Sequence, residues 1–280
     1  MTWRLMTRRA EVLGSLIARA RSLIEDCEQA DPQMAAVSSI VSRLGVGYGI
    51  AYVVGVALVS YMLATRGEDH WALAASHAEG NAKAALLSFV TSSPSLARFR
   101  EVKVRKARVY AEKLMDKIAR HYSAYAENLA SLWRDLYTTL NARPEAKTIV
   151  FAVKMFYYAA KAAGLRCRLL PTLPVPVDYR VCLVTLTSLL VQGPAGDLRG
   201  NARTLRKEGA HLVRKGWSLV SKKAGLAPLN LDALLWTLGG AIDAAELRKD
   251  WTLVEFEKRL GRSLNRAEKE LVSELLLALK

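Results

Sequence analysis

The segment LNARPEAKTIVFAVKMFYYAAKAAG (140–164) decides how the chain is read. Its first part, LNARPEAKT (140–148), is a short polar turn broken by Pro144. From there to Gly164, apolar residues recur at three- and four-residue spacing, which predicts a helix over 146–163. The stretch before the turn, 123–140, has the same periodicity, so two helices are joined by a tight connection. On the second helix Lys147, Phe151 and Lys154 stand at i, i+4 and i+7 and share one face that is otherwise apolar. Two lysines on such a stripe admit two readings. They snorkel from its rim, or at least one has a chemical task. Burial and a like-charged neighbour both favour the neutral amine, the form with a lone pair to give to carbon.

Downstream, LLPTLPVPVD (169–178) carries Pro171, Pro174 and Pro176 and must run extended and stiff. PVPVDYRV (174–181) thereby delivers Asp178 to the start of a helix over 179–191, where free backbone N–H groups favour a carboxylate. Taken alone, this is a plain helix cap. The run VCLVTLTSLL that follows fits a strand or a buried helix equally well.

Working outward, helical patterns dominate: 3–26, 33–44, 49–65, 69–79, 82–91, 95–120, 123–140, 146–163, 179–191, 199–223, 230–245, 252–260 and 266–279. Asp31-Pro32 opens one helix, and Asn265 with Glu268 forms a capping box for the last. No strand pattern of useful length stands out, so the fold class is all-α. Residues 44–65, LGVGYGIAYVVGVALVSYMLAT, hold no charge and are long enough to cross a bilayer. Four glycines, the polar groups of Tyr48, Tyr52, Ser60 and Tyr61, and the lack of a second span favour a buried core helix, with a membrane anchor as the alternative. The N-terminus reads as an amphipathic helix rather than a signal peptide.

The 280 residues carry 51% hydrophobic and 24% charged side chains, enough for a large core and too apolar for disorder. A net charge of +15 and a pI near 9.9 point to a polyanionic partner, either nucleic acid or an anionic membrane surface. Residues 98–120 hold nine Lys/Arg against three acids and 199–223 hold eight against one, faces suited to phosphates. Cys27, Cys167 and Cys182 show no metal-ligand spacing, and their odd number argues for a reducing, intracellular setting. His70, His77, His121 and His211 form no triad or metal pattern. No metal and no cofactor are expected.

Helix, short turn, lysine-headed helix, proline-stiffened loop and aspartate-capped helix occur here in the order found in helix-hairpin-helix DNA glycosylases. The chain resembles that superfamily. The usual Gly-x-Gly of the hairpin is replaced by Asn141-Ala142-Arg143-Pro144-Glu145-Ala146, and Lys147 and Asp178 are 31 residues apart, a long gap. Both departures resemble the archaeal 8-oxoguanine DNA glycosylases called AGOG. DPQ (31–33), EDHW (68–71), KTIVFAVK (147–154), PVPVDYRV (174–181) and PLNLDALLW (228–236) carry the likeness, which spans roughly 30–245.

The resemblance implies two helical subdomains with the active-site cleft between them. The hairpin subdomain is expected over 81–165 and the second over 1–80 plus 166–250, with 251–280 as a C-terminal extension. It implies Lys147 as nucleophile, Asp178 as its acidic partner, and Gln33, Trp71, Phe151, Lys154, Asp232 and Trp236 as the base pocket. The types suit these tasks: Trp71 and Phe151 have flat faces between which a flipped purine can stack. Gln33 and Asp232 offer hydrogen-bond groups to the base edges. Oxidation turns guanine N7 into an N–H donor, so a pocket acceptor can tell lesion from guanine. The expected partner is double-stranded DNA with oxidised guanine, single strands being a second option, bound by a monomer in the cytoplasm without a membrane. The rival readings are a non-catalytic helical DNA-binding protein and a superfamily glycosylase for another damaged or mismatched base.

Overall fold

The structure, a computed structural model, describes residues 2–280. Sixteen α-helices occur among the described residues, in two compact units. One unit is Pro32–Leu170. The other joins the segment up to Asp31 to Pro171–Lys280. Residues 32–80, expected with the second subdomain, therefore fall with the hairpin.

The uncharged run explains the first unit. Val46–Val59 is a helix buried on every side from Gly49 onward. Helices Pro32–Leu44, Ala82–Ser92, Arg100–Lys113, Met115–Glu127 and Lys147–Ala162 all pack on it. A helix that is hydrophobic all round belongs at such a centre. Its glycines allow close approach: a Cβ on Gly49 would lie 2.6 Å from Val41 Cα, and one on Gly55 2.5 Å from Leu86 Cδ2. Two of the polar groups that argued against a bilayer pair within the unit. Tyr52 donates to the Ala74 carbonyl at 3.0 Å and Ser60 to that of Val56 at 2.7 Å. No helix among the described residues is long and apolar enough to cross a membrane.

Beside the central helix, His70 is fully buried. Its Nε2 lies 2.8 Å from Ser60 Oγ and its Nδ1 2.9 Å from Ser95 Oγ. Burial, helped by the positive charge of Lys103, pushes its pKa down to about 3. The folded protein keeps the ring neutral, whereas the unfolded chain takes up a proton below about 6.5. Stability from this site is present above that pH and is lost as pH falls toward 3. Unfolding free energy should drop by about 2 kcal/mol between pH 7 and pH 5 through His70 alone. Urea denaturation at the two pH values checks this, because His70→Gln must flatten the dependence; an unchanged slope would assign it to other groups.

The second unit contains helices Thr7–Arg19, Ser22–Gln29, Tyr179–Thr187, Leu198–Glu208, Ala210–Ala224, Asp232–Ala244, Lys249–Leu260 and Arg266–Leu275. A two-residue antiparallel bridge, Arg4–Leu5 with Val191–Gln192, also occurs, which no alternation announced. Thr7–Arg19 packs on Ala210–Ala224 and on Arg266–Leu275, while Tyr179–Thr187 packs on Asp232–Ala244 and Leu198–Glu208. VCLVTLTSLL is thus resolved in favour of a buried helix.

The C-terminal segment is not an appendage. Phe256, Leu264, Leu271, Val272, Leu275 and Leu276 belong to the same core as Leu13, Ile17 and Trp217. Ala278 N–H donates to the Thr187 carbonyl at 2.8 Å, and Thr187 Oγ1 donates to that of Leu275 at 2.9 Å. Arg262 ties the segment down through Asp26 and the fully buried Glu268, with 2.7 Å to Glu268 Oε1. Its guanidinium holds the Glu268 carboxyl below the usual carboxylate range. The capping box at Asn265 and Glu268 forms as read from the sequence.

Candidate active site

The hairpin comes first because it aims the lysine. Leu129–Thr139 ends at Leu140, the chain reverses, and Lys147 is the first residue of Lys147–Ala162. Asn141 takes φ +46°, the left-handed conformation that a glycine would occupy without strain. Asparagine tolerates this region better than other side chains, so the missing Gly-x-Gly leaves the turn intact. The turn is pinned by Ala142 N–H on the Tyr137 carbonyl (2.9 Å) and by Trp133 Nε1 on the Pro144 carbonyl (2.9 Å).

Along the second hairpin helix the predicted face runs from solvent into the core. Lys147 is exposed, Phe151 is half-buried, and Lys154 is 2% exposed with its Nζ 4.8 Å from the centre of the Tyr158 ring. Burial was the expected route to a neutral amine at Lys147. The structure places that burial at Lys154 instead.

Pro32–Leu44 packs on both Lys147–Ala162 and Gly67–Ser76. It carries Gln33, 3% exposed, at its second position, and Trp71, 2% exposed, sits on Gly67–Ser76. The rings of Trp71 and Phe151 touch, with centroids 6.3 Å apart and planes at 66°. A purine sandwiched between two rings needs parallel planes roughly two contact distances apart, about 7 Å. These two rings form no such slot. Trp71 supports Phe151 edge-to-face, and Phe151 is the more open of the two.

Asp178, Asp232 and Trp236 lie in the other unit. Asp178 is the N-cap of Tyr179–Thr187, and its Oδ1 accepts from Val181 N–H at 3.0 Å. Asp232 is 3% exposed and opens Asp232–Ala244, with Trp236 one turn later. Gly239 brings the two helices together, since a Cβ there would meet Arg180 Cβ at 2.8 Å. Arg180 then lays its guanidinium 4.0 Å from the centre of the Trp236 ring. Sequence reasoning missed Arg180. The available signal was a cation in the first turn of a helix, where the macrodipole disfavours it.

A second omission lies beside Lys147. Lys106 Nζ donates to Thr148 Oγ1 at 2.9 Å and to the Leu58 carbonyl at 2.8 Å, fixing the residue next to Lys147. Lys103 is fully buried, and both ammonium groups face Tyr61, at 5.0 Å and 5.6 Å from the ring centre. Burial brings both lysines down to about 8, helped at Lys103 by Arg100 and Arg98. Arg100 is likewise turned onto backbone, with Nη2 2.8 Å from the Ser93 carbonyl. Three of the nine basic residues in 98–120 therefore serve the interior, which weakens that segment as a phosphate face.

Among the described residues no three His, Cys, Asp or Glu side chains are arranged to hold a metal ion.

Comparison with known proteins extends the likeness past the limits expected from sequence. The profile of the AGOG family, described as N-glycosylase/DNA lyase, matches residues 13–274, so most of the C-terminal segment lies inside it. An N-glycosylase/DNA lyase of Pyrobaculum aerophilum is 33% identical over 220 residues, covering 77% of this chain and 79% of the relative. One from Aeropyrum pernix is 31% identical over 225 residues, covering 76% of each. The crystal structure of the 8-oxoguanosine-complexed 8-oxoguanine DNA glycosylase Pa-AGOG, from Pyrobaculum aerophilum, superposes with a TM-score of 0.71 at 27% identity, covering 90% of this chain and 97% of that one. With a lysine-headed hairpin helix, an aspartate-capped helix and matches of this extent, the chain belongs to the AGOG family of N-glycosylase/DNA lyases and is a DNA glycosylase with lyase activity.

Proposed function

We propose that the protein removes 8-oxoguanine from DNA and then nicks the strand at the emptied sugar, with Lys147 as nucleophile and Asp178 as its acidic partner. The observation that carries this reading is Lys147 itself, an exposed amine at the first position of a helix that a rigid hairpin aims. The substrate is drawn from the relative whose solved structure is complexed with 8-oxoguanosine.

The damaged nucleotide rotates out of the duplex and its base stacks on Phe151, backed by Trp71. Gln33 and Asp232, both 3% exposed, supply polar groups to its edges. The seated nucleotide excludes water from the lysine, which favours the neutral amine. The nitrogen of Lys147 bonds to C1′. The bond to the base breaks, and its electron pair leaves with the base, which takes up a proton. Asp178 stabilises the positive charge that develops on the sugar. The adduct opens to a Schiff base, a C2′ proton is lost, and the 3′ phosphate departs. The partner is double-stranded DNA, and a single copy of the chain suffices for every step.

A panel of duplexes, each with one modified base, tests substrate and chemistry together when sodium borohydride is present. Reduction should join the DNA to the peptide beginning at residue 147, with 8-oxoguanine far ahead of uracil, mismatched thymine or an alkylated base. Adducts that favour another base would reassign the substrate. No adduct with any base would remove the lysine mechanism.

A further inference from the structure

Helix Leu198–Glu208 has an uneven cross-section. Ala202 and Leu205 are buried, while Arg199, Arg203 and Arg206 follow one another at i, i+4 and i+7 along the flank of that buried face. At 1.5 Å per residue this row is about 10 Å long. One DNA strand offers a phosphate roughly every 3.4 Å of axis, so the row spans about three of them.

The head of the row borders a cavity of about 340 Å³, lined by Tyr179, Arg199, Arg203 and Asp243. Its cations are not equivalent. Arg199 is already engaged: Nη2 donates to the Asp243 carbonyl at 3.1 Å, and Nε, enclosed by protein, stands 3.4 Å from Asp243 Oδ1 without making a hydrogen bond. Tyr179 donates to the same carboxylate at 3.2 Å. Arg203 is exposed, lies 5.9 Å from the centre of the Tyr179 ring, and has no ion-pair partner among the described residues. The cavity thus holds one guanidinium tied to Asp243 and one that forms no close ion pair with the described residues.

We infer that Arg203, flanked by Arg199 and Arg206, forms a phosphate-binding subsite for the DNA backbone close to the extruded nucleotide. The location follows from the chain: Tyr179, one wall of the cavity, directly follows Asp178. A phosphate held there belongs to the stretch of backbone near the sugar that Asp178 serves. The subsite rests on the proposed DNA reaction but not on which base is removed. Asp243 sets its strength, because its carboxylate competes with phosphate for Arg199.

The test measures binding to an undamaged duplex by fluorescence anisotropy across salt concentrations, independently of base choice. Arg203→Gln should weaken binding at low salt and reduce the log–log salt slope by roughly 0.9, the loss of one phosphate contact. Arg203→Lys keeps the charge and should restore the slope. Asp243→Asn should act oppositely and tighten binding. Arg19→Gln makes the same change of net charge at an exposed arginine paired with Glu270 (2.8 Å) and should leave the slope unaltered. The inference is overturned if Arg203→Gln keeps the parental slope, or if Arg19→Gln flattens it equally, which would reduce the effect to overall charge. Should the duplex panel reassign the damaged base while these slopes behave as stated, the subsite stands and only the base assignment falls.

Discussion

Lys147→Gln should abolish base release and strand nicking together, each by at least ~10⁴-fold in single-turnover assays, the usual cost of deleting a nucleophile. The substitution is mild for the fold. Lys147 is exposed at the first position of its helix, and glutamine is nearly as good a helix former as lysine. A surface change of this kind shifts stability by no more than about 0.5 kcal/mol. What it removes is the one property the reaction needs, since an amide nitrogen has no available lone pair for C1′. Under the proposed mechanism both activities fail, because the amine that displaces the base is the same atom that later forms the Schiff base. Nicking of a preformed abasic site must fail as well. If base release survives while nicking is lost, water is the nucleophile. If both survive, the amine lies elsewhere. Lys154 is next in sequence, but it is 2% exposed with its ammonium over the Tyr158 ring, and it would have to leave the core to reach a sugar.

The sequence carried the helices well where a local signal marks their ends. Pro32 and the Asn265–Glu268 box are chemical punctuation, and the structure places helix ends at each; the expected helix over 199–223 is instead divided at Gly209. It failed where the ending is tertiary. The expected helix over 95–120 is broken at Leu114, whose φ of −132° leaves the helical region. Leu114, Met115 and Ile118 are all buried, and the chain bends to keep packing on the unit's core. No glycine or proline marks that bend. The C-terminal pair failed for a related reason. Its periodicity was visible, but docking is decided by shape, and Phe256 shows its partners only in the folded core. At the site, residue types were legible and their settings were not. Lys147 and Lys154 look alike in sequence, yet one is exposed and the other buried. The charge count over 98–120 could not reveal that Lys103, Lys106 and Arg100 point inward.

Asp178→Asn should slow base release by ~10² to 10⁴-fold while leaving folding and DNA affinity close to those of the parent. The magnitude follows from removing a charge aimed at a developing cation. The selectivity follows from the cap. Asp178 Oδ1 accepts from Val181 N–H at 3.0 Å, and an asparagine carbonyl oxygen accepts in the same place, ranking with aspartate as an N-cap. The helix Tyr179–Thr187 keeps its first turn, so Tyr179 and Arg180 stay in position. Asp178→Ala supplies the complementary measurement. It deletes charge and cap together and should cost a further ~1 kcal/mol of stability, read from chemical denaturation. The two variants separate what a single deletion would merge. If asparagine restores stability relative to alanine but not the rate, the carboxylate acts on the reacting sugar. If asparagine restores both, Asp178 is a cap and nothing more, and the acidic partner of Lys147 must be sought among other carboxylates. Asp232, buried at the head of its own helix, is then the first to test.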